Sequence, residues 1–360
     1  MKKIKILQVA DLHLEKGENC AQSLAVLEEI VGITNEKEVD YLLLCGDIFN
    51  SFPDAESLRG DFRSRLEVCR AEIFYIPGNH EELYRPENKQ LSRLDFGKVQ
   101  LLAEIPFVFI ERPGVEFLAV PHQRRLASYR EWEIPPRSPG KQRILLAHGL
   151  VTEFLAYTGP VEEEKDSVLD PALFHFCEAD YAALGHIHRR MSLDMAGARV
   201  AYSGSSRVWK RGESGPRGAL YLECTADGIA EEIFLELKKA GEYRFYEVPL
   251  QPDGTIPDIS AISEGWTGVD FVHLRLSGVI ENESEFSTEV ERLQRRLSGL
   301  VGRILLERED VIVTQDISMN SLLHDFHEEW KKLEPVNSNE ADRRVWLRAR
   351  ELAFKSVLER

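Results

Sequence analysis

The sequence predicts an α/β fold, and two features of its apolar pattern indicate it. Five short runs of aliphatic and aromatic residues show no regular alternation with polar residues, which is typical of strands buried on both faces. These runs are residues 4–10, 41–45, 73–76, 144–147 and 181–184. Between them, apolar residues recur every three or four positions, as on the buried side of a helix. Strands that alternate with helices favour a layered α/β architecture.

Two helices are expected in the first half of the chain. Leu24, Leu27 and Val31 mark the first helix, which separates the first two apolar runs. The second helix is expected over residues 57–70. Its buried stripe would consist of Leu58, Phe62, Leu66 and Cys69.

The pattern changes after about residue 235. Short strands are expected at residues 247–250, 271–276, 303–306 and 311–313, with one helix between the second and the third. Two further helices, at residues 322–333 and 340–358, are separated by a break that begins at Pro335. We therefore predict three domains. They are a first domain at residues 1–235, a small α+β domain at 236–318 and a helical C-terminal region at 319–360.

Composition limits the classes of protein to which the chain can belong. Its 360 residues are 43% hydrophobic and carry 45 basic against 61 acidic side chains, a net charge of −16. Such a chain can bury a sizeable core, which excludes a disordered tail. The acidic balance speaks against a surface that attracts nucleic acid everywhere, although it leaves room for a local basic groove.

The cysteines and the apolar segments indicate the compartment. Five widely spaced cysteines without a Cys-x-x-Cys pair argue against a zinc ribbon or a disulfide framework. The apolar stretch after Lys2 and Lys3 reaches Asp11 too soon for a signal peptide. No segment approaches the roughly 18 apolar residues of a membrane span. We expect a soluble cytoplasmic protein with no membrane partner.

Polar residues that can bind metal or transfer protons follow all five apolar runs. They are Asp11, His13, Asp47, Asn79, His80, His148, His186 and His188. In open α/β sheets, sites form beyond the carboxyl ends of the strands. Mixed imidazole, carboxylate and amide ligands suit Mn²⁺, Fe²⁺ or Zn²⁺, and their number suits two ions that share a bridge. Such a pair can stabilise the attacking and leaving oxygens of an in-line phosphoryl displacement.

Three glycines are expected to serve this site through their backbone. Gly46, Gly78 and Gly185 stand at the turns that follow the apolar runs. A positive φ or a close approach of the metal would penalise a Cβ at these positions.

In this order, the polar motifs resemble those of the calcineurin-like metallophosphoesterases. The motifs are Asp11-x-His13, Gly46-Asp47, Gly78-Asn79-His80-Glu81, a lone His148 and Gly185-His186-x-His188. Within that superfamily, the chain is most similar to the SbcD-type nuclease subunits of bacterial DNA double-strand-break repair. The Tyr-Ser-Gly-Ser segment at residues 202–205 is also similar to theirs, and the motifs together cover roughly residues 4–225.

The resemblance implies a four-layer αββα sandwich with a capping domain, and a role for each site residue. Asp11, His13 and His188 would hold one ion, and Asp47 would bridge to the other. The ligands of the second ion would be Asn79, His148 and His186. His80 would face the scissile phosphate, as transition-state stabiliser or as general acid to the leaving oxygen.

The resemblance also implies cofactors and partners. It favours two Mn²⁺ ions, a homodimer, and a coiled-coil ATPase of the SbcC type that docks on the C-terminal helices. One departure concerns Asn50, because the family often has Asp or His three residues after the bridging Asp. The sequence therefore leaves the cutting mode, exonuclease or endonuclease, open.

A basic segment follows the last histidine motif. Arg207, Lys210 and Arg211 lie in a Gly/Ser-rich stretch that also contains Trp209. They could form a solvated loop, or contact a phosphate backbone with one stacking aromatic. The sequence does not decide between these two roles.

The predicted function is a two-metal phosphodiesterase that cleaves DNA, in which a metal-activated hydroxide attacks phosphorus in line. The alternative is a metallophosphoesterase that acts on a small nucleotide or another phosphoester. A Ser/Thr protein phosphatase is disfavoured because residues 46–52 lack the Asp-Arg-Gly of those enzymes. The additional α+β domain and helical tail favour DNA, since a small substrate does not need them.

Overall fold

The computed structural model describes residues 3–17, 19–81, 91–123, 129–154, 168–251, 253–313, 321–333 and 340–358. It divides into two compact units, Met1–Glu242 and Tyr243–Arg360. Both C-terminal helices fall within the second unit. The boundaries at residues 235 and 318 stay predictions. In the described part of the chain, every helix is too short or too polar to cross a membrane.

The first unit contains fourteen strands and three α-helices among the described residues. The strands are β1 (Ile4–Val9), β2 (Tyr41–Cys45), β3 (Glu72–Ile76), β4 (Gln100–Leu101), β5 (Val108–Arg112), β6 (Val115–Val120), β7 (Gln142–His148), β8 (Leu150–Val151), β9 (Val168–Leu169), β10 (Tyr181–Gly185), β11 (Met191–Met195), β12 (Ala198–Tyr202), β13 (Gly218–Thr225) and β14 (Gly228–Glu236). The helices are α1 (Cys20–Glu36), α2 (Phe52–Leu66) and the short α3 (Ala172–Phe176). All five apolar runs of the sequence are strands in the structure, with ends that agree to within two residues.

Two six-stranded sheets form the centre of this unit. Their strand orders are β14-β13-β1-β2-β3-β4 and β11-β12-β10-β7-β6-β5. The inner strands run parallel and the outer ones are antiparallel at β13, β14, β5 and β11. Leu43, Phe117 and Ala183 belong to one buried apolar cluster that contains side chains of both sheets. The helices α1 and α2 cover the outer face of one sheet and α3 that of the other, which confirms the αββα layers.

A buried amide joins the two sheets through hydrogen bonds. Nε2 of Gln8 donates to the carbonyls of Leu184 and Ala201 at 3.1 and 3.0 Å. The hydroxyl of Tyr181 donates to Oε1 of Gln8 at 2.8 Å. Because an unpaired polar group is costly in a dry interior, this set of bonds fixes how β1 lies across β10 and β12.

The second helix begins earlier than its apolar stripe predicts. It starts at Phe52, after Ser51, whose Oγ accepts a hydrogen bond from the N–H of Asp54 as an N-cap does. Pro53 lies in the first turn, where its missing N–H costs nothing. Cys69 is buried but lies outside the helix, which ends at Leu66, so the predicted range of residues 57–70 was wrong at both ends.

The second unit is a three-stranded parallel sheet with helices. The strands β15 (Tyr243–Pro249), β16 (Phe271–Ile280) and β17 (Arg303–Val313) lie in that order. The helices are α4 (Ser260–Ser263), α5 (Glu283–Leu297), α6 (Ser321–Lys332) and α7 (Glu340–Leu358). Phe286, Val290, Leu293 and Leu297 of α5 pack in the apolar core beside the sheet. The two strands predicted at 303–306 and 311–313 are one continuous strand.

Candidate metal centre

The predicted site residues lie together where strands of both sheets end. The N–H of Asp11 donates to the carbonyl of Gly46, and that of His13 donates to Asp47, both at 3.0 Å. The loops after β1 and β2 therefore stay paired beyond their strands. His186 follows β10 in the other sheet, and its N–H donates to both carboxylate oxygens of Asp11 at 3.1 Å.

Four of these residues have a backbone conformation that side chains disfavour. The φ angles of Asp11, His13 and Asp47 are 51°, 47° and 49°, and that of His186 is 106°. Only three other non-glycine residues in the described ranges have a positive φ. Such strain costs energy, persists only where the surrounding structure imposes it, and concentrates at functional sites.

The three glycines singled out in the sequence leave room for the site residues. A Cβ on Gly46 would collide with the ring of His148, and φ of Gly46 is 87°. A Cβ on Gly78 would overlap the carboxylate of Asp47. The φ of Gly185 is not positive, but a Cβ there would strike the carbonyl of Cys45. All three positions therefore require glycine, mainly because atoms of His148, Asp47 and Cys45 approach the backbone closely.

Asp11, His13 and His188 form one group of potential ligands. The Nε2 atoms of His13 and His188 are 3.1 Å apart, and Nε2 of His188 lies 3.9 Å from Oδ1 of Asp11. Nδ1 of His13 is buried and has no hydrogen-bond partner among the described residues. Two nitrogens that share an ion at about 2.1 Å are separated by about 3.0–3.4 Å, so the observed spacing fits one shared ion.

Asp47, Asn79, His148 and His186 form a second group. Oδ2 of Asp47 lies 3.3 Å from Nε2 of His148. Oδ1 of Asn79 lies 3.0 Å from the same Nε2 and 3.2 Å from Nδ1 of His186. The carboxylate of Asp47 also approaches the first group, because it lies within 4.8 Å of ring nitrogens of both His13 and His80.

Three histidines have one ring nitrogen held by an acceptor outside the two groups. Nδ1 of His148 donates to the carbonyl of Cys45 at 2.9 Å, and Nδ1 of His80 to the carbonyl of Asn50 at 3.1 Å. Nδ1 of His188 is hydrogen-bonded to Oε1 of Glu213. Since carbonyls and carboxylates accept, these bonds place a proton on Nδ1 and leave Nε2 for the site.

Burial and neighbouring charges set the charge of the group. Burial raises the pKa of Asp11 to about 6, whereas the charge of His148 and its hydrogen bond hold the pKa of Asp47 well below its usual value despite burial. Burial lowers the pKa of His13 well below the ordinary value and that of His186 to about 3. Burial would also lower the pKa of His148, but Asp47 raises it to about 9. His13 and His186 are therefore neutral, the form that binds metal.

Glu81 holds the backbone around Asp47 through hydrogen bonds. Its buried carboxylate accepts hydrogen bonds from the N–H groups of residues 47–49 and of Gly78, at 2.5–3.1 Å. It also accepts one from the hydroxyl of Tyr75 at 2.5 Å. Burial and the nearby Asp47 raise the pKa of Glu81 to about 7. Glu81 therefore orients the backbone that carries Asp47 and lies behind the site.

The donor set fits divalent metal ions. It combines buried carboxylates, neutral imidazoles and an amide oxygen, which borderline and hard divalent ions accept. Three triads of this set bring their ligand atoms within 4.8 Å of one another: Asp11–His13–His188, His13–Asp47–His80 and Asp11–Asp47–His148. The two carboxylates, Asp11 and Asp47, are buried close together, and a bound cation would compensate their charge.

The three predicted substrate-binding residues have different positions. Arg207 is 1% exposed, and its guanidinium donates to the carbonyls of Leu12 and His13 at 2.9 and 2.7 Å. It supports the loop of the first ligand group from behind, so a contact with a nucleic-acid backbone does not fit its position. Lys210 and Arg211 are exposed, a position compatible with both a solvated loop and a contact with substrate.

Two contacts of this segment could not be predicted from the sequence motifs. The indole of Trp209 stacks on the imidazole of His13, with ring centres 3.8 Å apart and planes 10° apart. Glu213 binds His188 and, through Oε2, the N–H of Trp209 at 2.6 Å. The sequence shows that Trp209 follows the last histidine motif by about 20 residues, but it does not show that the indole stacks on His13.

The fold and site define a metallophosphoesterase. Residues 4–190 match the family model of the calcineurin-like phosphoesterases, and the chain belongs to this family. A divalent-metal-dependent phosphoester hydrolase is therefore the class of protein to which it belongs.

Several curated proteins are similar to the chain at low identity. The DNA double-strand break repair protein Mre11 of Haloferax volcanii is 26% identical over 259 residues, 69% of this chain and 55% of that protein. The protein of the same name from Archaeoglobus fulgidus is 22% identical over 87% of this chain and 77% of its own. The resemblance inferred from the motifs is thereby confirmed. The uncharacterized metallophosphoesterase YhaO of Bacillus subtilis is 23% identical over 64% of this chain and 60% of its own.

The matched lengths are partial. The chain spans 55% and 65% of the length of the Haloferax volcanii and Sulfurisphaera tokodaii relatives. Among solved structures, a dimetal phosphatase from Danio rerio is 12% identical, with a TM-score of 0.44. The match covers 65% of this chain and 99% of that structure's chain.

Proposed function

We propose that the protein is a two-metal phosphodiesterase that cleaves DNA. The observation that carries the proposal is the position of Asp47. Its carboxylate belongs to two of the ligand triads, one with His13 and His80 and the other with Asp11 and His148. A carboxylate shared by two sets of ligands suits a bridging position between two ions.

The proposed ligands follow the two groups of the site. Asp11, His13 and His188 hold one ion, and Asp47 bridges to the second. The remaining ligands of the second ion are Asn79, His148 and His186. Two divalent ions held there would lower the pKa of water toward neutral pH and would neutralise charge on the phosphate. The strained backbone at four of these seven residues supports the assignment.

His80 is the proposed group that acts on the phosphate. Its N–H donates to Oδ1 of Asp47 at 2.9 Å, and its ring lies edge-on to His13 with centres 4.7 Å apart. The bond from Nδ1 to Asn50 is kept when the ring is protonated, and Nε2 then carries a second N–H. That N–H can stabilise charge on the phosphate or be transferred to the leaving oxygen.

DNA as the substrate rests on the relatives and on the surroundings of the site. The archaeal relatives are named as DNA double-strand break repair proteins. In this chain, Trp209 beside the site and Lys210 over its ring, 4.5 Å from the ring centre, suit a base and a phosphate. The net charge of −16 argues for weak, salt-sensitive binding by this chain alone.

The metal and partners belong to the same proposal. We propose Mn²⁺ as the ion, a homodimer, and an SbcC-type coiled-coil ATPase that docks on the C-terminal helices in the cytoplasm. Leu333, Val345 and Leu352, in or next to these helices, are more than half exposed, which supports a docking surface.

The test compares DNA with a small ester. The purified protein is incubated with Mn²⁺ and end-labelled linear DNA, with and without the ATPase partner, and separately with bis-p-nitrophenyl phosphate. We expect cleavage of both, and loss of both in His80→Ala with metal content retained. His175→Ala, at an exposed position of α3, is the matched control. Hydrolysis of the small ester without any cleavage of DNA would favour the small-phosphoester alternative.

A further inference from the structure

The turn at residues 209–213 is attached to the metal centre through Glu213. Its Oε1 is hydrogen-bonded to Nδ1 of His188, and its Oε2 accepts the N–H of Trp209 at 2.6 Å. The side chain of Glu213 is 8% exposed. One nearly buried carboxylate therefore contacts both a proposed ligand and the backbone of the turn.

The indole of Trp209, at the start of this turn, packs against histidines of the metal centre. Trp209 is stacked flat on His13 and stands edge-on to His80, with ring centres 5.4 Å apart. It also lies 5.7 Å from the ring of His188. The indole thus contacts one proposed ligand directly and is linked to another through Glu213.

A carboxylate on the far nitrogen of a metal-binding histidine has a known physical effect. It fixes the tautomer and the ring orientation and makes the other nitrogen a stronger donor to the metal. Here the bond from Nδ1 of His188 to Glu213 turns Nε2 of His188 toward the site, where it lies 3.1 Å from Nε2 of His13. A turn that served only to connect two strands would need neither this bond nor the stacked indole.

We propose that Glu213 is a positioning residue that couples metal binding by Asp11, His13 and His188 to the placement of Trp209. The inference rests on the proposed function, because it requires this group to hold an ion. An ion bound by the group constrains both histidine rings. The constraint reaches Trp209 along two routes, through Glu213 from His188 and through the stacked ring of His13.

The test is a Mn²⁺ titration of the full chain, with bound Mn²⁺ followed by electron paramagnetic resonance and Trp209 by fluorescence. The chain has five tryptophans, so the signal of Trp209 is the difference between the wild type and Trp209→Phe. We expect the wild type to bind two Mn²⁺ and this difference signal to change with one of them. Glu213→Gln should keep one site and weaken the other roughly 10- to 100-fold, with the fluorescence change shifted to the same extent.

Two further variants make the result decisive. Glu111→Gln removes an exposed carboxylate that is bonded to Lys141 and should titrate as the wild type does. Trp209→Phe keeps Glu213 and the backbone N–H, so it should bind two Mn²⁺ and lack the signal. If Glu213→Gln binds both ions as the wild type does, or if Trp209→Phe keeps the fluorescence change, the inference is wrong. A wild type that binds no Mn²⁺ would instead contradict the proposed function itself.

Discussion

Nδ1 of His80 lies 3.1 Å from the backbone carbonyl oxygen of Asn50, so the main chain orients the ring proposed to act on the phosphate. The side chain of Asn50 points elsewhere, with Nδ2 3.4 Å from a carboxylate oxygen of Glu15. The replacement of the family's Asp or His at this position therefore leaves the orientation of His80 intact.

This relationship predicts different outcomes at two neighbouring residues. His80→Ala should lower kcat for bis-p-nitrophenyl phosphate by roughly 10²- to 10⁴-fold, because a positioned acid is lost. Asn50→Ala keeps the carbonyl and should leave kcat within about threefold, a change of less than about 0.7 kcal/mol in the barrier. Steady-state kinetics with Mn²⁺ measures both. A large loss in Asn50→Ala would mean that its side chain also acts in the site.

Gly78→Ala should abolish metal binding without unfolding the protein. The new Cβ would overlap the carboxylate and the backbone nitrogen of Asp47, which cannot move because Glu81 binds its N–H. Gly60→Ala is the matched control, since a Cβ there meets nothing within 4 Å. Because Gly60 lies at an exposed position inside helix α2, this variant should raise the stability of the protein by about 0.5–1 kcal/mol. Bound Mn²⁺ after dialysis and thermal unfolding give the two readouts, and metal retained by Gly78→Ala would refute the steric argument.

The buried amide of Gln8 should show strong coupling to Tyr181. Gln8→Leu leaves the hydroxyl of Tyr181 without a hydrogen-bond partner in the interior. Each buried polar group that loses its partner costs about 1–3 kcal/mol of stability. Tyr181→Phe in the same protein removes that hydroxyl, so the double variant should be less destabilised than the sum of the single ones. Urea unfolding of the four proteins measures the coupling. Strict additivity would show that the bond contributes nothing.

The buried ion pair of Glu116 and Arg143 predicts an acid-dependent stability. Burial alone would raise the pKa of Glu116, but hydrogen bonds from Ser138 and Arg143 hold it below 4.5. Because the folded-state pKa is depressed, the stabilisation is present above the unfolded-state pKa. It is lost as the pH falls through the folded-state value.

A comparison of the wild type with Glu116→Gln tests the direction in which this stabilisation changes with pH. The variant should be less stable than the wild type at pH 7, and the difference should shrink steadily below about pH 4.5. Glu133→Gln, an exposed position, should show no such trend. Urea unfolding between pH 3 and pH 7 measures the difference in stability between the wild type and each variant. A difference that grows on acidification would contradict the assigned direction.

The sequence predicts well the strands of the centre and the polar residues that gather at their ends, because each lies at an abrupt change from apolar to polar residues. The run at residues 41–45 and the Gly46-Asp47 that follows show this, since the strand ends at Cys45. The start of α2 was missed because its cap, Ser51 with Pro53, precedes the apolar stripe. The role of Arg207 was missed because basic charge in a Gly/Ser-rich stretch does not reveal that the side chain is buried. Its partners are carbonyls about 195 residues away.

The pairing of β1 has a consequence for how the chain is made. The hydroxyl of Ser206 donates to the carbonyl of Ala10 across 196 residues, and β13 pairs with β1 beyond the end of the family match at residue 190. On the ribosome, β1 can pair with β2 early, but its other edge therefore stays unpaired until β13 is synthesised. The loop of Asp11 and His13 gains its supports from Arg207 and Ser206 only then. Metal loading of this unit is thus an event that follows translation of at least its first two hundred or so residues.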